Sequence, residues 1–249
     1  MSDIIFKENK NIAILTLNRE KTLNAWNSKM RKQICNIFSK LKKRKHIKAI
    51  IITGSGKKAF CSGQDLNEIK NFKSKNVNQW INEFKQVYTA IRSAEIPVIA
   101  AINGGAAGSG FQLALLTDIR VSHAKARFGQ VEINSGVVSI IGPWIIEKVL
   151  GMSKTIELCL TGKLIDAKEA KKNGIVHYIT ERDKVMSMSL KIARQLSDKP
   201  KKAMKLTKKR IWEIFKEDMN EVFKKAKKYH KQSFNSGEPQ TKTKYFLKK

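Results

Sequence analysis

The 249-residue sequence predicts an α/β fold, and three observations carry that prediction. Short β-branched runs alternate with amphipathic helical stretches through the first half. Two glycine-bearing segments each follow a strand and open a helix. Hydrophobic residues make up 41% of the chain, enough to bury a full core.

Each element has its own signal. Ile4 to Phe6 and Ile12-Ala13-Ile14-Leu15-Thr16-Leu17 read as strands, with Asn9-Lys10-Asn11 turning between them. Met30, Ile34, Ile37, Phe38 and Leu41 fall at helical spacing, predicting a helix over 28–43. Ala49-Ile50-Ile51-Ile52-Thr53 reads as a buried strand ending in Gly54-Ser55-Gly56. Trp80, Ile81, Phe84, Val87, Tyr88 and Ile91 mark a second helix, and residues 97–102 a further strand. That strand runs into Asn103-Gly104-Gly105-Ala106-Ala107-Gly108-Ser109-Gly110 and a short apolar helix, after which residues 119–122 form another strand. Asp166 is expected to cap a helix that Gly174 ends in the left-handed conformation, with one more strand over 175–179. From Arg182 onward the chain is helical and lysine-dense, broken at Lys199-Pro200 and Gly237-Glu238-Pro239. The expected organisation is a core over 1–195 and a helical appendage over 196–249.

Composition excludes disorder, a collagen repeat and a small disulfide scaffold. Fifty Lys+Arg against 21 Asp+Glu give a net charge of +29, which favours an anionic partner: nucleic acid, anionic lipid or a phosphate-bearing small molecule. Cys35, Cys61 and Cys159 are odd in number and widely spaced, as reduced thiols of a cytoplasmic protein would be. No apolar run is long enough to span a bilayer, and no secretory signal precedes the first strand. The four histidines have no ligand spacing, so no metal site is expected.

The segment 104–110 lacks the spacing of a dinucleotide fingerprint and the Gly-Lys-Ser/Thr ending of a phosphate loop. Ala59-Phe60-Cys61-Ser62-Gly63-Gln64-Asp65-Leu66 is a second strand-to-helix junction. Two such junctions can aim two peptide N–H groups at one point, the geometry of an oxyanion hole.

Leu17-Asn18-Arg19 with Leu23-Asn24-Ala25 resembles the amino-terminal signature of the crotonase superfamily (enoyl-CoA hydratase/isomerase). Ala59-Phe60-x-x-Gly63-x-Asp65-Leu66 and the stretch from Pro97 through Gly110 resemble its two oxyanion segments. Asp118-Ile119-Arg120, Phe128-Gly129-Gln130-x-Glu132-Ile133, Leu160-Thr161-Gly162 and Ala167-x-x-Ala170 before Gly174-Ile175-Val176 continue the match in order. The resemblance implies a crotonase-like spiral of ββα units with a C-terminal helical region that packs trimers, often paired into hexamers. It implies an acyl-CoA thioester as substrate and no permanently bound cofactor.

By matched position the oxyanion donors fall on the backbone N–H groups of Gln64 and Ser109, Ser109 standing where hydratases usually carry glycine. Glu132 stands where hydratases carry the second of two catalytic glutamates and simple isomerases their only one. Gln112 occupies the first glutamate position; an amide cannot take a proton at neutral pH but can hold a water or substrate. The resemblance assigns substrate and coenzyme A contacts to Lys21, Ala25, Ala59, Cys61, Asp65, Leu66, Gly108, Trp144 and Lys249. Trp144 is expected to line the acyl pocket, while Trp80 and Trp212 read as core anchors. A basic RNA-binding protein of the same fold is the rival reading. Aromatic residues are not interleaved with the lysine runs, which places a solvated lysine coat ahead of nucleic-acid binding.

Overall fold

A computed structural model describes residues 2–247, the side chain of Phe246 excepted. The chain opens with an antiparallel pair, β1 (Ile4–Asn9) and β2 (Ile12–Leu17). Helix α1 (Ser28–Lys43) follows, its first turn capped by Asn27 Oδ1, which accepts from Met30 N–H. Three strand pairs then alternate with helices: β3 (Ala49–Gly54) and β4 (Ala59–Cys61), β5 (Val98–Ala101) and β6 (Gly105–Ala107), β7 (Ile119–His123) and β8 (Arg127–Gly129). Short α2 (Leu66–Ile69) and α3 (Val77–Arg92) lie between the first two pairs, and α4 (Ser109–Leu115) between the second and third.

Each turn of this spiral gives one strand to each of two sheets. The larger has the order β1-β2-β3-β5-β7-β10, with β10 (Tyr178–Thr180) at its edge, and every pairing beyond β1–β2 is parallel. The smaller has the order β4-β6-β8-β9, closed by the two residues of β9 (Ile165–Asp166). Parallel strands covered on both faces read as unbroken apolar runs, as β3 does. Ile50 and Ile52 face the main core, while Ala49 and Ile51 face α7 (Val185–Ser197) with Val185 and Ile192.

Helix α5 (Ile141–Thr161) bends at Gly151, φ +73°, and α6 (Ala167–Lys172) starts on Asp166, whose carboxylate accepts from Glu169 N–H at 2.8 Å. The expected strand over 175–179 starts later. Ile175 and Val176 are buried, but their N–H groups return to Ala170 O, and sheet pairing begins only at Tyr178. Helices α8 (Lys201–Lys216), α9 (Met219–Ser236) and α10 (Glu238–Phe246) finish the chain; Phe215, Phe223 and Phe234 join the main core. Gln240 Nε2 donates to Phe72 O at 2.8 Å, tying α10 to the segment between α2 and α3. Among the described residues no helix is long and apolar enough to cross a membrane.

Candidate active site

The smaller sheet delivers two strand-to-helix junctions side by side. At the first, β4 ends at Cys61 and Gly63 takes φ +100°, turning the chain into α2. Trp26 pairs alongside, donating from N–H to Gly63 O (2.9 Å) and accepting from Asp65 N–H (3.2 Å). The N–H of Gln64, between those two partners, therefore faces the other side. At the second junction Gly108 takes φ +55° and Ser109 opens α4, where its N–H has no helix-internal acceptor. The junctions touch: a Cβ on Gly63 would lie 3.2 Å from Ser109 N, and one on Gly110 only 2.2 Å from Cys61 O.

Glu132 enters from β8 through a short 3₁₀ turn that Gly136 closes in the left-handed conformation. Its carboxylate rests against the second junction, so that a Cβ on Gly108 would come 3.2 Å from Oε1. Gln112 Nε2 donates to Glu132 Oε1 at 3.0 Å, and Gln130 Nε2 donates to Oε2. Tyr88 fixes the first of these amides: its hydroxyl donates to Gln112 Oε1 at 2.6 Å, which turns the Gln112 N–H toward Glu132. Burial, then the nearby Glu132 charge, pushes the Tyr88 hydroxyl well above its usual range, so it stays a donor. Burial likewise pushes the Glu132 carboxyl up to about 7, a rise that a hydrogen bond from its own backbone N–H partly offsets.

Gln64, Ser109, Glu132 and Val137 line both of two adjoining cavities. The outer one, about 720 Å³, is bordered by Lys21, Ala25, Leu66, Leu164 and Leu247. The inner one, about 50 Å³, is walled by Trp80, Phe84, Tyr88, Ile141 and His230. Burial pulls the His230 imidazole down to about 4, so it is a neutral wall residue at physiological pH.

Of the residues the sequence singled out, Gln64, Ser109, Gln112 and Glu132 come together, and Lys21, Ala25, Asp65, Leu66 and Gly108 border the outer cavity. Asp65 is already engaged, ion-paired with Arg19 at 2.7 Å and accepting from Asn67 N–H at the start of α2. Two expectations need correction. Trp144 is turned away from the site: its indole donates to Asp218 at 2.7 Å and packs on Phe215. Ala59 and Cys61 are buried in β4 behind the junctions, and burial raises the Cys61 thiol to about 12. Trp80 sits in the main core, as expected of an anchor, and also lines the inner cavity, donating to Gln64 Oε1 at 3.2 Å. Lys249 lies outside the described residues.

The profile of the family described as "Enoyl-CoA hydratase/isomerase" matches residues 7–249. The chain belongs to the enoyl-CoA hydratase/isomerase family. A short-chain-enoyl-CoA hydratase of Clostridium acetobutylicum is 31% identical over 212 residues, covering 85% of this chain and 81% of the relative. A crotonyl-CoA hydratase of Syntrophomonas wolfei is 30% identical over 207 residues, 83% and 80% of the two chains. In fold, the crystal structure of an enoyl-CoA hydratase/isomerase from Mycobacterium paratuberculosis matches with TM-score 0.90 and 24% identity over 98% of both chains. This member of the enoyl-CoA hydratase/isomerase family is accordingly an acyl-CoA-processing enzyme of the crotonase fold.

Sequence reasoning missed Trp26, Arg31 and Tyr88. Arg31 is 1% exposed and holds Glu83 (3.0 Å), Gln64 Oε1 (2.9 Å) and Trp26 O (3.3 Å) beneath the first junction. In sequence it was one cation on a lysine-rich helix; its place four residues before Cys35 carries no distinguishing signal.

Proposed function

We propose that this enzyme moves the double bond of an enoyl-CoA, with Glu132 as its single general acid/base and the N–H groups of Gln64 and Ser109 as enolate donors. The carboxylate removes a Cα proton from a 3-enoyl thioester, and the electron pair moves onto the thioester oxygen between the two N–H donors. The protonated glutamate returns the proton to Cγ, the carbonyl reforms, and the double bond lies between Cα and Cβ. A carboxyl held near 7 is accessible in both states at neutral pH, as a group that takes and returns one proton requires.

The observation that carries this reading over hydration is the Tyr88–Gln112–Glu132 chain. Hydration on two carboxylates needs a second proton acceptor, and Gln112 instead presents a donor to the Glu132 carboxylate. The hydratase names of the relatives favour hydration as the second reading. Side-by-side rates of 3-butenoyl-CoA isomerisation and crotonyl-CoA hydration decide between them. Isomerisation dominant by kcat/KM supports the proposal, and hydration dominant overturns it.

The small aromatic-walled inner cavity supports a short acyl group, and Lys21 at the outer cavity supports phosphate contacts with coenzyme A. The stripe Met152, Ile156 and Leu160 on α5, each at least half exposed, supports assembly into a homotrimer or hexamer, with residues 196–249 as the region that packs it. Free Cys35, Cys61 and Cys159 support a reducing compartment such as the cytoplasm. The net charge of +29 does not distinguish RNA from the phosphates of coenzyme A, and the names of the relatives support the acyl-CoA reading over RNA binding.

A further inference from the structure

Trp26 has no exposed surface, and an indole N–H buried so completely needs an acceptor. It finds one 83 positions away, donating from Nε1 to Ser109 Oγ at 2.8 Å. Its backbone meanwhile forms the pairing that carries Gln64. One residue thus grips both donor-bearing junctions, the first through its main chain and the second through its side chain. Its ring also stacks on Tyr88, with centroids 6.2 Å apart and planes 22° from parallel, and Tyr88 is the residue that aims Gln112 at Glu132. Arg31 closes the arrangement from below, donating to Trp26 O and to Gln64 Oε1.

Ser109 acquires a purpose here that its backbone N–H does not explain. Its hydroxyl lies at the start of α4 and is the acceptor that lets an indole occupy position 26 without an orphaned donor. The junctions have little slack between them, since a Cβ on Gly63 would stand 2.8 Å from Ala107 O. Two donors that must converge on one oxygen tolerate only small errors of placement.

We propose that Trp26 is a positioning residue for the oxyanion hole: the Trp26–Ser109 hydrogen bond sets the spacing of the Gln64 and Ser109 N–H donors and so lowers the barrier to enolate formation. This rests on the enolate chemistry proposed above.

The test is a double-mutant cycle of Trp26→Phe and Ser109→Ala, with kcat and KM on 3-butenoyl-CoA and crotonyl-CoA and binding of butanoyl-CoA. Both variants keep the backbone N–H groups, and Ser109→Ala removes only one oxygen. Each single change is expected to lower kcat by about ten- to a hundredfold, with butanoyl-CoA affinity within about threefold of wild type. The double variant is expected to be no worse than the poorer single one, because both delete the same bond. Full kcat in folded Ser109→Ala overturns the proposal, as does a rise in KM alone or a multiplicative loss in the double variant. Ser109→Ala keeps the cycle decisive should Trp26→Phe fail to fold. Wild-type protein inactive on both thioesters would instead overturn the enoyl-CoA reading itself, a result distinct from any of these.

Discussion

Tyr88→Phe removes a single oxygen from the buried chain that ends on Glu132, and its effect can be worked from the geometry. Gln112 Oε1 loses the donor it holds at 2.6 Å, in a place that water does not readily reach. An acceptor left unsatisfied in such surroundings costs about 1–3 kcal/mol of stability. The catalytic consequence is separate. An unbraced Gln112 amide donates less well to Glu132 Oε1, and a hydrogen bond to a charged group is worth about 1.5–3 kcal/mol. Losing about 1.4 kcal/mol of that support raises the carboxyl by about one pKa unit, from its position near 7. The base acts as the carboxylate, so isomerisation should rise with pH through about 7 in the wild type. In the variant that limb should move up by about one unit, the rate falling at neutral pH and recovering in alkali. The assay is kcat/KM on 3-butenoyl-CoA against pH, with thermal unfolding of both proteins. A variant that melts lower but keeps the wild-type pH profile would show that Tyr88 does not act on Glu132 and is a packing residue only.

Three further outcomes follow from the same geometry. Glu132→Gln should lower kcat by about 10²–10⁴-fold while butanoyl-CoA affinity stays near wild type; unchanged turnover would move the base elsewhere. Ser109→Pro should cost about 2.7–4 kcal/mol in the barrier beyond the cost of Ser109→Ala, because proline is tolerated at the first position of α4 but also deletes the donor N–H; a folded proline variant that turns over as fast as Ser109→Ala would show that this N–H does not bind the oxyanion. Gln112→Glu should raise crotonyl-CoA hydration more than it changes isomerisation. Its carboxyl would accept from Tyr88 and stand about where an amide now lies 3.0 Å from Glu132, so one of the pair should titrate higher and shift the pH optimum; no gain at any pH would show that position 112 does not govern water activation.

Much of the architecture was legible because strands and helices here announce themselves. Helix α1 spans the residues its apolar spacing predicts, and Asp166 and Gly174 act as the cap and left-handed terminus expected of them. The smaller sheet was not legible as a sheet. Its strands β4, β6 and β8 are three residues each, too short for alternation to register, and β6 is Gly-Ala-Ala. The four residues proposed as the reaction centre, which the fold brings together, came from a family resemblance, not from spacing. What surrounds them was out of reach for a physical reason. Tyr88 read as an apolar helix position and Trp144 as a wall of the acyl pocket, while Trp26 carried no signal, since a sequence displays an aromatic ring but not the direction of its polar tip. In the fold those tips go to Ser109, Gln112 and Asp218, and the last of these takes Trp144 out of the acyl site.

Glu132 is proposed to transfer a proton at Cα against an enolate held by Gln64 and Ser109. Solvent-deuterium incorporation at Cα of butanoyl-CoA, followed by NMR, tests it without requiring either hydration or isomerisation to proceed. Wild-type protein should catalyse the exchange, and Glu132→Gln should abolish it while still binding the thioester. Exchange in Glu132→Gln at the wild-type rate, or none in wild-type protein that turns over enoyl-CoA, would contradict the account.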